Sequence, residues 1–553
     1  MGDRRAAMAG PDDRGWWRAD DAELRPGDRY AFSVDGGPPR PDPRSPFQPD
    51  GVDGPSQVVD HAAFPWTDEG WQRPSLDGAV IYELHVGTFS PEGTFAGAAG
   101  CLDHLVDLGV THVELMPVNQ FPGRWGWGYD GVDLYAPHNG YGGPDGLKAL
   151  IDRCHSRGLA VLVDVVYNHL GPAGNYLGQY GPYFTDRYAT PWGQAVNLDG
   201  PDSDEVRAFF LDNAEMWLRD YHADGLRIDA VHAILDTSAC HLLEEMAERC
   251  GPQGSLIAES DLNDPRVVRD RQAGGYGIDA QWSDDFHHAV HAVLTGERDG
   301  YYADFGSMHQ LAKALRQSFV YDGQYAPHRR RRHGRSPAGL EPGRFLAYAQ
   351  THDQVGNRAQ GERLSHLVGE GRLRAAAALV LCSPFVPMLF QGEEWGASTP
   401  FQYFTDHEDP ELGQAVSEGR RREFSSFGWK PEDVPDPQDP ATFERSKLDW
   451  DEVGRSPHAQ LLDWHRRLIA LRREHRLHEG GFAGVDVHVD EDARWLVLDR
   501  GSLVLALNVG DSTADVPLGD GHAGDVVMAW GEVDVSGATA RLGPDSVAVV
   551  TAE

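Results

Sequence analysis

Residues 225–232 read GLRIDAVH, a short apolar run that leads directly into a carboxylate, and this pattern is the starting point for predicting the fold. Three other stretches end in a similar way: residues 160–169 read AVLVDVVYNH, residues 255–260 read SLIAES, and residues 345–353 read FLAYAQTHD. Short apolar runs of this kind are typical of parallel strands that are buried on both faces. In a closed parallel barrel, the side chains that do chemistry lie where the strands end. The four stretches therefore predict a barrel with an acidic site at one rim.

Eight apolar runs occur between residues 80 and 390, and helical patterns follow several of them. Residues 145–157 and 205–221, for example, carry apolar side chains at helical spacing. Strands that alternate with helices eight times predict a (β/α)8 TIM barrel of the α/β class. The predicted strands cover residues 80–84, 110–116, 160–166, 225–228, 255–258, 278–282, 345–349 and 386–390.

Three parts are predicted along the chain. Residues 76–475 form the barrel, and the Gly-, Tyr- and Pro-rich residues at about 170–203 form a loop subdomain inserted in it. Residues 476–553 contain runs of alternating strand type, which predict a C-terminal antiparallel β-sandwich. Residues 1–75 predict a small N-terminal β-sandwich module. We expect this module to be shortened, because only about fourteen residues precede its first candidate strand, residues 15–18.

The charge balance limits the class of partner. The 553 residues contain 49 Lys and Arg against 86 Asp and Glu, a net charge of −37. Such a chain repels nucleic acid and anionic membranes, whereas a neutral glucan is not disfavoured. Five widely spaced cysteines without a CxxC pair, and a charged N-terminal stretch without an apolar core, predict a cytoplasmic protein. No run of 18 apolar residues predicts a membrane span.

Carboxylates at two predicted strand ends fit the cleavage of a glycosidic bond. This reaction needs one ionised carboxylate that attacks the anomeric carbon and one protonated carboxyl that delivers a proton to the leaving oxygen. We assign Asp229 as the nucleophile and Glu259 as the proton donor. Arg227 lies two residues before Asp229, on the same face of the strand, and its charge would keep Asp229 ionised. A single Asp after a strand is more often a helix cap than a catalyst. Polar side chains at four separate strand ends, however, disfavour capping as the explanation for all of them.

Further polar and aromatic side chains near these ends are candidates for sugar binding. Asp353 is placed to bind sugar hydroxyls and to favour the distorted ring of the transition state. His169 and His352 offer hydrogen-bond donors. Tyr129 lies with Trp125 and Trp127 in a Gly-rich stretch, where aromatic rings either stack on sugars or pack within the loop. Asp164 is interpreted as a partner of Arg227; no set of six to eight oxygen ligands for calcium is apparent, so neither a metal nor a cofactor is predicted.

These segments resemble the four conserved regions of the α-amylase superfamily, glycoside hydrolase family 13. The resemblance covers the chain from about residue 80 to its end. It implies a retaining mechanism, in which Asp229, Glu259 and Asp353 match the nucleophile, the acid/base and the transition-state-stabilising aspartate. Asp164, His169, Arg227 and His352 match other positions that hardly vary in the superfamily.

Within the superfamily, the chain is similar to the trehalohydrolases that act on malto-oligosyltrehalose. Residues 258–266, 281–288 and 351–358 carry this similarity. It implies hydrolysis of the α-1,4 bond next to a terminal trehalose unit, with release of trehalose and maltodextrin, and a functional pairing with a malto-oligosyltrehalose synthase. Five residues after the sixth strand, within 282–288, are candidates for recognising the trehalosyl end. The full set of predicted substrate-binding residues is Tyr129, Asp164, His169, Arg227, Ala230, His232, Trp282, Asp284, Asp285, His287, His288, His352, Gln354, Asn357 and Arg358.

Two alternatives remain open. A branching or other transglycosylating enzyme of the same superfamily would use the same two carboxylates, because either water or a sugar hydroxyl can take the glycosyl group. Residues 282–288 favour the trehalohydrolase. A non-catalytic glucan-binding barrel would have lost at least one of the three acids, and all three are present here.

Overall fold

A computed structural model describes residues 5–19, 23–191, 193–425, 429–519 and 524–551. Its centre is a closed barrel of eight parallel strands, each hydrogen-bonded to the next, with the last paired to the first. The predicted TIM barrel is therefore confirmed. The strands are β1 (Ile81–Leu84), β2 (His112–Leu115), β3 (Ala160–Val165), β4 (Gly225–Ile228), β5 (Ser255–Ala258), β6 (Ala280–Trp282), β7 (Phe345–Ala347) and β8 (Val386–Phe390).

Helices surround the barrel, and the predicted helical segments at 145–157 and 205–221 are confirmed to within two residues at either end. The first of them buries Leu147, Leu150 and Ile151 against the sheet, as its spacing predicts. The helices are α1 (Val86–Phe89), α2 (Phe95–Gly100), α3 (Leu102–Leu108), α4 (Gly143–Ser156), α5 (Asp204–Arg219), α6 (Leu242–Cys250), α7 (Asp284–Thr295), α8 (Met308–Gln317), α9 (His352–Gly356), α10 (Leu364–Leu367), α11 (Glu370–Leu381), α12 (Pro410–Ser425), α13 (Pro440–Arg445) and α14 (His458–Glu474). No helix in the described ranges is long and apolar enough to cross a membrane.

Alternate side chains of the barrel strands face inward and outward. Ile81, Leu162 and Ile257 pack with one another inside the barrel, whereas Tyr82 and Val163 join the larger apolar core under the helices. This alternation is the period of two that a strand requires. Inner and outer positions are both filled mainly with apolar side chains, as a parallel sheet covered on both faces requires.

The loop after β3 contains an antiparallel pair of strands, Phe184–Thr190 and Gly193–Val196. A second pair, Asp322–Ala326 and Arg331–Gly334, follows α8, and a short third pair, Asn119–Gln120 and Asp133–Pro137, follows β2. The first and third pairs directly follow a barrel strand, so they rise on the side where the strands end and wall the opening there. The second pair follows a helix, but Arg329 between its strands lies 2.9 Å from Asp261 after β5, which places it on the same side.

The C-terminal region forms two antiparallel sheets, as predicted for a β-sandwich. Leu503 and Leu505 pack in the core shared with the barrel helices, and Val504 between them packs against the second sheet. The first sheet therefore packs against the barrel helices with one face and against the second sheet with the other. The strands are β9 (Asp486–Asp490), β10 (Trp495–Asp499), β11 (Leu503–Asn508), β12 (Ala514–Pro517), β13 (Val526–Trp530), β14 (Val533–Ser536), β15 (Thr539–Leu542) and β16 (Ser546–Thr551), in the sheet orders β9-β10-β11-β16-β13 and β12-β15-β14.

The N-terminal region is less regular than the predicted sandwich. In its described residues, strand pairing is limited to Arg29–Tyr30 with Ser56–Gln57 and to two single bridges. The physical reason is composition: residues 38–55 contain seven prolines, which cannot donate to a strand ladder. Side chains hold the segment instead, since Arg44 donates to the hydroxyl of Tyr135 at 3.0 Å. We propose that the boundaries between the N-terminal part, the barrel and the C-terminal part nevertheless lie after residues 75 and 475.

Candidate active site

One buried guanidinium organises the acidic rim. Arg227 is the third residue of β4 and is fully buried. Its Nη1 donates to both carboxylate oxygens of Asp164, at 2.9 and 2.8 Å, and to Oδ1 of Asp229 at 2.9 Å. Its Nη2 lies 2.8 Å from Oε2 of Glu259. A single planar cation therefore contacts three carboxylates from three neighbouring strand ends, as the forked geometry of arginine allows.

Asp229 and Glu259 each accept a hydrogen bond from a donor other than Arg227. Asn168 donates from Nδ2 to Oδ2 of Asp229 at 3.1 Å. The backbone N–H of Ala230 donates to Oε2 of Glu259 at 2.9 Å. Ala230 has a φ of 38°, in the left-handed region that a side chain disfavours. Such a conformation at a functional site persists only where its surroundings impose it, and here it aims a backbone donor at the second carboxyl.

The two carboxyl groups lie at the same opening. The side chain of Asp229 is 11 % exposed and that of Glu259 is 16 % exposed, whereas Arg227 beneath them is closed to solvent. An ionised carboxylate and a carboxyl group that face one opening can attack an anomeric carbon and protonate its leaving oxygen. The geometry thus provides the pair of groups that glycosidic cleavage needs.

A third acid, Asp353, lies at the same opening. Its side chain is 42 % exposed, and it accepts a hydrogen bond from Nδ2 of Asn357 at 3.1 Å. Surrounding protein raises the pKa of Asp353, the His352 ring beside it lowers this pKa, and the charge of Glu259 raises it again. Nε2 of His352 lies 3.7 Å from Oδ1 of Asp353, so His352 links this acid to the network around Tyr129.

Two of the predicted histidines, His169 and His352, have a hydrogen-bond partner at each ring nitrogen. Nδ1 of His169 lies 2.7 Å from Oδ1 of Asn168, and its Nε2 lies 3.1 Å from the carbonyl oxygen of Tyr129. Burial lowers the pKa of His169. His352 stacks on the ring of Tyr129, with centroids 5.1 Å apart, and its Nε2 lies 2.9 Å from the Tyr129 hydroxyl. Both histidines flank Tyr129, so this residue joins them in one network.

The aromatic residues of the loop after β2 differ in what they contact. Tyr129 donates its hydroxyl proton to Oδ2 of Asp164 at 2.7 Å and stays half-buried at the opening. Trp127 is buried and donates from Nε1 to the carbonyl oxygen of Gln402 at 3.0 Å. Trp125 stacks on Phe443 with an angle of 6° between the rings. The two tryptophans pack within the protein, and Tyr129 alone of the three joins the carboxylate cluster.

Three of the residues predicted to recognise a sugar after β6 are engaged by protein. Trp282 is 1 % exposed, and the guanidinium carbon of Arg227 lies 4.4 Å from its ring centroid. Asp285 accepts bonds of 2.7 Å from the side chain of Asn263 and from two backbone N–H groups of the loop after α8. The ring nitrogens of His287 lie 2.8 Å from a carbonyl oxygen and from a tyrosine hydroxyl. These contacts and their burial favour a structural role for all three; the indole N–H of Trp282 has no hydrogen-bond partner among the described residues, but it is closed to solvent.

Asp284 and His288 are the other two candidates after β6. Asp284 is half-buried and accepts a 2.5 Å hydrogen bond from the hydroxyl of Tyr348. Burial raises the pKa of Asp284 to about 8, Tyr348 opposes this, and the charge of Glu259 adds to it. His288 stacks on Tyr301, whose ring is partly exposed. Asp284 therefore lies near Glu259, whereas His288 is buried beside Tyr301.

The remaining predicted residues lie at the margin. His232 and Asn357 are exposed, and Gln354 is half-buried and accepts a 2.5 Å hydrogen bond from the hydroxyl of Thr351. Arg358 donates to both oxygens of Glu297, each at 2.9 Å. That bidentate pair occupies the fork of Arg358, so this arginine braces the rim and is not directed at a substrate.

One important partner was not predicted from the sequence. Glu83 in β1 is buried, its Oε1 lies 2.5 Å from Nδ1 of His352, and its Oε2 accepts the backbone N–H of the same residue at 3.0 Å. A signal was present, since Glu83 interrupts an otherwise apolar run, and a carboxylate buried in a strand needs a partner. Asn168 was likewise not predicted as a partner of Asp229. Within the described ranges, no group of three or more His, Cys, Asp or Glu is arranged to hold a metal ion.

Comparisons with known proteins agree with this geometry. Residues 59–182 match the alpha amylase catalytic-domain family, and residues 480–549 match the "Domain of unknown function (DUF3459)" family. A crystal structure of an alpha-amylase-type protein from Salmonella typhimurium is similar with a TM-score of 0.91 at 40% identity, and the match covers 99% of this chain and 94% of that one. Apo pullulanase from Paenibacillus barengoltzii matches with a TM-score of 0.71 at 21% identity, over 99% of this chain and 88% of that one, which shows a shared fold.

Two curated relatives match over nearly their whole length. The malto-oligosyltrehalose trehalohydrolase of Arthrobacter ramosus is 53% identical over 98% of this chain and 95% of that protein. The protein of the same name from Mycobacterium tuberculosis (strain H37Rv) is 50% identical over 97% of this chain and 94% of that protein. Identity at this level across the barrel and the C-terminal sheets is far more than a common fold requires. The chain therefore belongs to the malto-oligosyltrehalose trehalohydrolase family, glycoside hydrolases of the α-amylase superfamily.

Proposed function

We propose that the chain hydrolyses the α-1,4-glucosidic bond next to the terminal trehalose unit of malto-oligosyltrehalose, releasing trehalose and a maltodextrin. The observation that carries the chemistry is the contact of one buried guanidinium, that of Arg227, with both Asp229 and Glu259. The choice of substrate is supported by relatives of about half identity that carry the trehalohydrolase name.

In the first step, a carboxylate oxygen of Asp229 forms a bond to the anomeric carbon of the maltodextrin part. The glycosidic C–O bond breaks, and the proton of Glu259 passes to the leaving oxygen, so that trehalose departs as a neutral sugar. Arg227 supports this step because it stabilises the negative charge on Asp229 before the attack.

In the second step, Glu259 takes a proton from water, and the water oxygen attacks the same anomeric carbon. The bond to Asp229 breaks, and the maltodextrin leaves with its original α configuration, which defines a retaining enzyme. We propose that Asp353 stabilises the transition state from the open side of the cleft. Asp284, which lies near Glu259, and His288, which stacks on the exposed ring of Tyr301, are our candidates for contact with the departing trehalose.

Product analysis tests this function. The enzyme is incubated with malto-oligosyltrehalose, with plain maltodextrin of equal length, and with trehalose alone, in water enriched in oxygen-18. We expect trehalose to be released from malto-oligosyltrehalose and not from maltodextrin, with the label on the new maltodextrin end and none on trehalose, and trehalose incubated alone to stay unchanged. NMR at early times should show that end as the α anomer.

Other products would favour the alternatives. New α-1,6 branch points, or transfer to sugars without incorporation of the label, would indicate a transglycosylating enzyme. Binding of glucan without any product from the wild-type chain would indicate a non-catalytic barrel. Equal cleavage of plain maltodextrin would refute the preference for a trehalose end.

We also propose that the chain acts in the cytoplasm on the product of a malto-oligosyltrehalose synthase. The described cysteines, including the buried Cys154 and Cys382, are free thiols, which fits a reducing compartment. Co-expression with such a synthase on maltodextrin should yield trehalose, and either protein alone should not.

A further inference from the structure

The contact between Glu83 and His352 joins strands that are far apart in the chain. Glu83 is 1 % exposed in β1, and His352 begins the short helix after β7. Oε1 of Glu83 lies 2.5 Å from Nδ1 of the ring, and Oε2 accepts the backbone N–H of His352 at 3.0 Å. Both oxygens of this carboxylate are therefore committed to one residue, which fixes both the ring and the backbone that carries it.

The directions of the hydrogen bonds determine which ring nitrogens carry protons. Arginine can only donate, so the two Arg227 bonds make both oxygens of Asp164 acceptors. Tyr129 has a single hydroxyl proton, which it gives to Asp164 at 2.7 Å. The same hydroxyl must then accept from Nε2 of His352 at 2.9 Å. Nε2 is thus protonated, while Nδ1 faces the carboxylate of Glu83.

We propose that Glu83 is a positioning residue that keeps His352 doubly protonated and directed at Tyr129, so that the path through Tyr129 and Asp164 holds Arg227 in place beneath the carboxyl pair. The role of that pair in catalysis rests on the proposed function, but the protonation of His352 does not. Without a proton on Nε2, the hydroxyl of Tyr129 would turn toward the histidine, and Asp164 would lose a donor.

The charges around His352 agree with this arrangement. Burial by itself lowers the pKa of His352, but the adjacent carboxylate of Glu83 outweighs burial and raises it to about 9. Glu114 pairs with Glu83 across β1 and β2, and burial raises the pKa of Glu114 well above its ordinary value, which favours the neutral form of Glu114. The titratable and charged groups that face His352 from the packed elements are Glu83, His85, Glu114, Tyr129, Asp164, Arg227 and, on its own helix, Asp353.

The test is the titration of His352 in the full-length chain, followed by NMR with labelled histidine and assigned with a His352→Gln variant. In the wild type we expect a midpoint near 9. Glu83→Gln removes the charge with almost no change in shape, and the midpoint should fall to about 6.5 or below. Glu114→Gln is the matched control: it makes the same change on the neighbouring strand, and the midpoint should stay near that of the wild type.

Activity gives a second measurement. Glu83→Gln should lower kcat by roughly tenfold or more with a smaller change in KM, and Glu83→Asp should recover part of the loss. If the His352 midpoint is unchanged in Glu83→Gln, or if Glu114→Gln lowers it equally, the proposal is wrong. If wild type releases no trehalose while Glu83→Gln still shifts the midpoint, the proposed function fails and the protonation of His352 stands.

A further variant covers the case in which Glu83→Gln does not fold. Tyr129→Phe removes only the hydroxyl between His352 and Asp164. It should keep the His352 midpoint near 9, because Glu83 is intact, and should lower kcat. A Tyr129→Phe enzyme with the kcat of the wild type would overturn the path from His352 to Arg227.

Discussion

Replacing Arg227 with lysine tests the central contact of the site. Arginine spans the cluster because Nη1 contacts Asp164 and Asp229 while Nη2, on the other side of the fork, lies 2.8 Å from Glu259. A lysine ammonium keeps the positive charge, but it is one compact group without the planar fork of a guanidinium. It therefore cannot contact all three carboxylates at once. We expect the Arg227→Lys variant to fold and to lose two of these contacts.

The size of the effect follows from the number of lost contacts. A hydrogen bond to a charged group contributes about 1.5–3 kcal/mol, so the loss of two raises the barrier by about 3–6 kcal/mol. A barrier higher by that amount lowers kcat/KM by roughly 10²–10⁴-fold. The assay is the rate of trehalose release from malto-oligosyltrehalose, together with thermal unfolding to show that the variant is folded.

Arg207→Lys is the matched control. Arg207 in α5 is also buried and also bridges two carboxylates, since it lies 2.6 Å from Asp236 and 2.8 Å from Glu245, but it is outside the rim. Its replacement should lower stability and leave kcat/KM within about threefold of the wild type. The reasoning is refuted if folded Arg227→Lys retains more than a third of the wild-type kcat/KM, or if Arg207→Lys loses as much activity.

Three further predictions concern single side chains. Glu259→Gln should lower kcat by about 10²–10⁴-fold with an unchanged thermal midpoint, and near-normal trehalose release would remove Glu259 as the acid. Trp282→Ala should reduce the free energy of unfolding in urea by about 3–5 kcal/mol, because the ring is 1 % exposed. The control Tyr325→Ala, at a site 57 % exposed, should change it by less than about 0.5 kcal/mol. Equal losses of stability in the two variants would contradict the packing of Trp282. The hydrogen bond from His291 lowers the pKa of Glu297 to about 2, below its ordinary value of 4.5. The stability that Glu297 contributes is therefore present above pH 4.5 and is lost as the pH falls toward 2. The difference in urea midpoint between the wild type and Glu297→Gln should narrow over that range, and a constant difference would show that the charge of Glu297 is not involved.

The linear pattern was enough to predict the barrel and the presence of acidic side chains at its strand ends. Eight apolar runs are visible because strands buried on both faces admit few polar side chains. Asp229 and Glu259 could be predicted because the chain places each directly after such a run. The helices were equally accessible, since the spacing in residues 145–157 is a local property. These features depend on neighbours in the chain, and local pattern therefore reveals them.

Only the tertiary structure decided which polar side chains face the opening. Asp284 and His287 are equally good candidates from the sequence. In the structure Asp284 is half-buried, whereas His287 is buried with its ring nitrogens beside a carbonyl oxygen and a tyrosine hydroxyl. Glu83 and His352 are 269 residues apart, and nothing in either local stretch indicates that they meet. Barrel closure brings them together, because β8 returns to pair with β1. Contacts across a closed sheet depend on register and strand order, which a linear pattern does not contain.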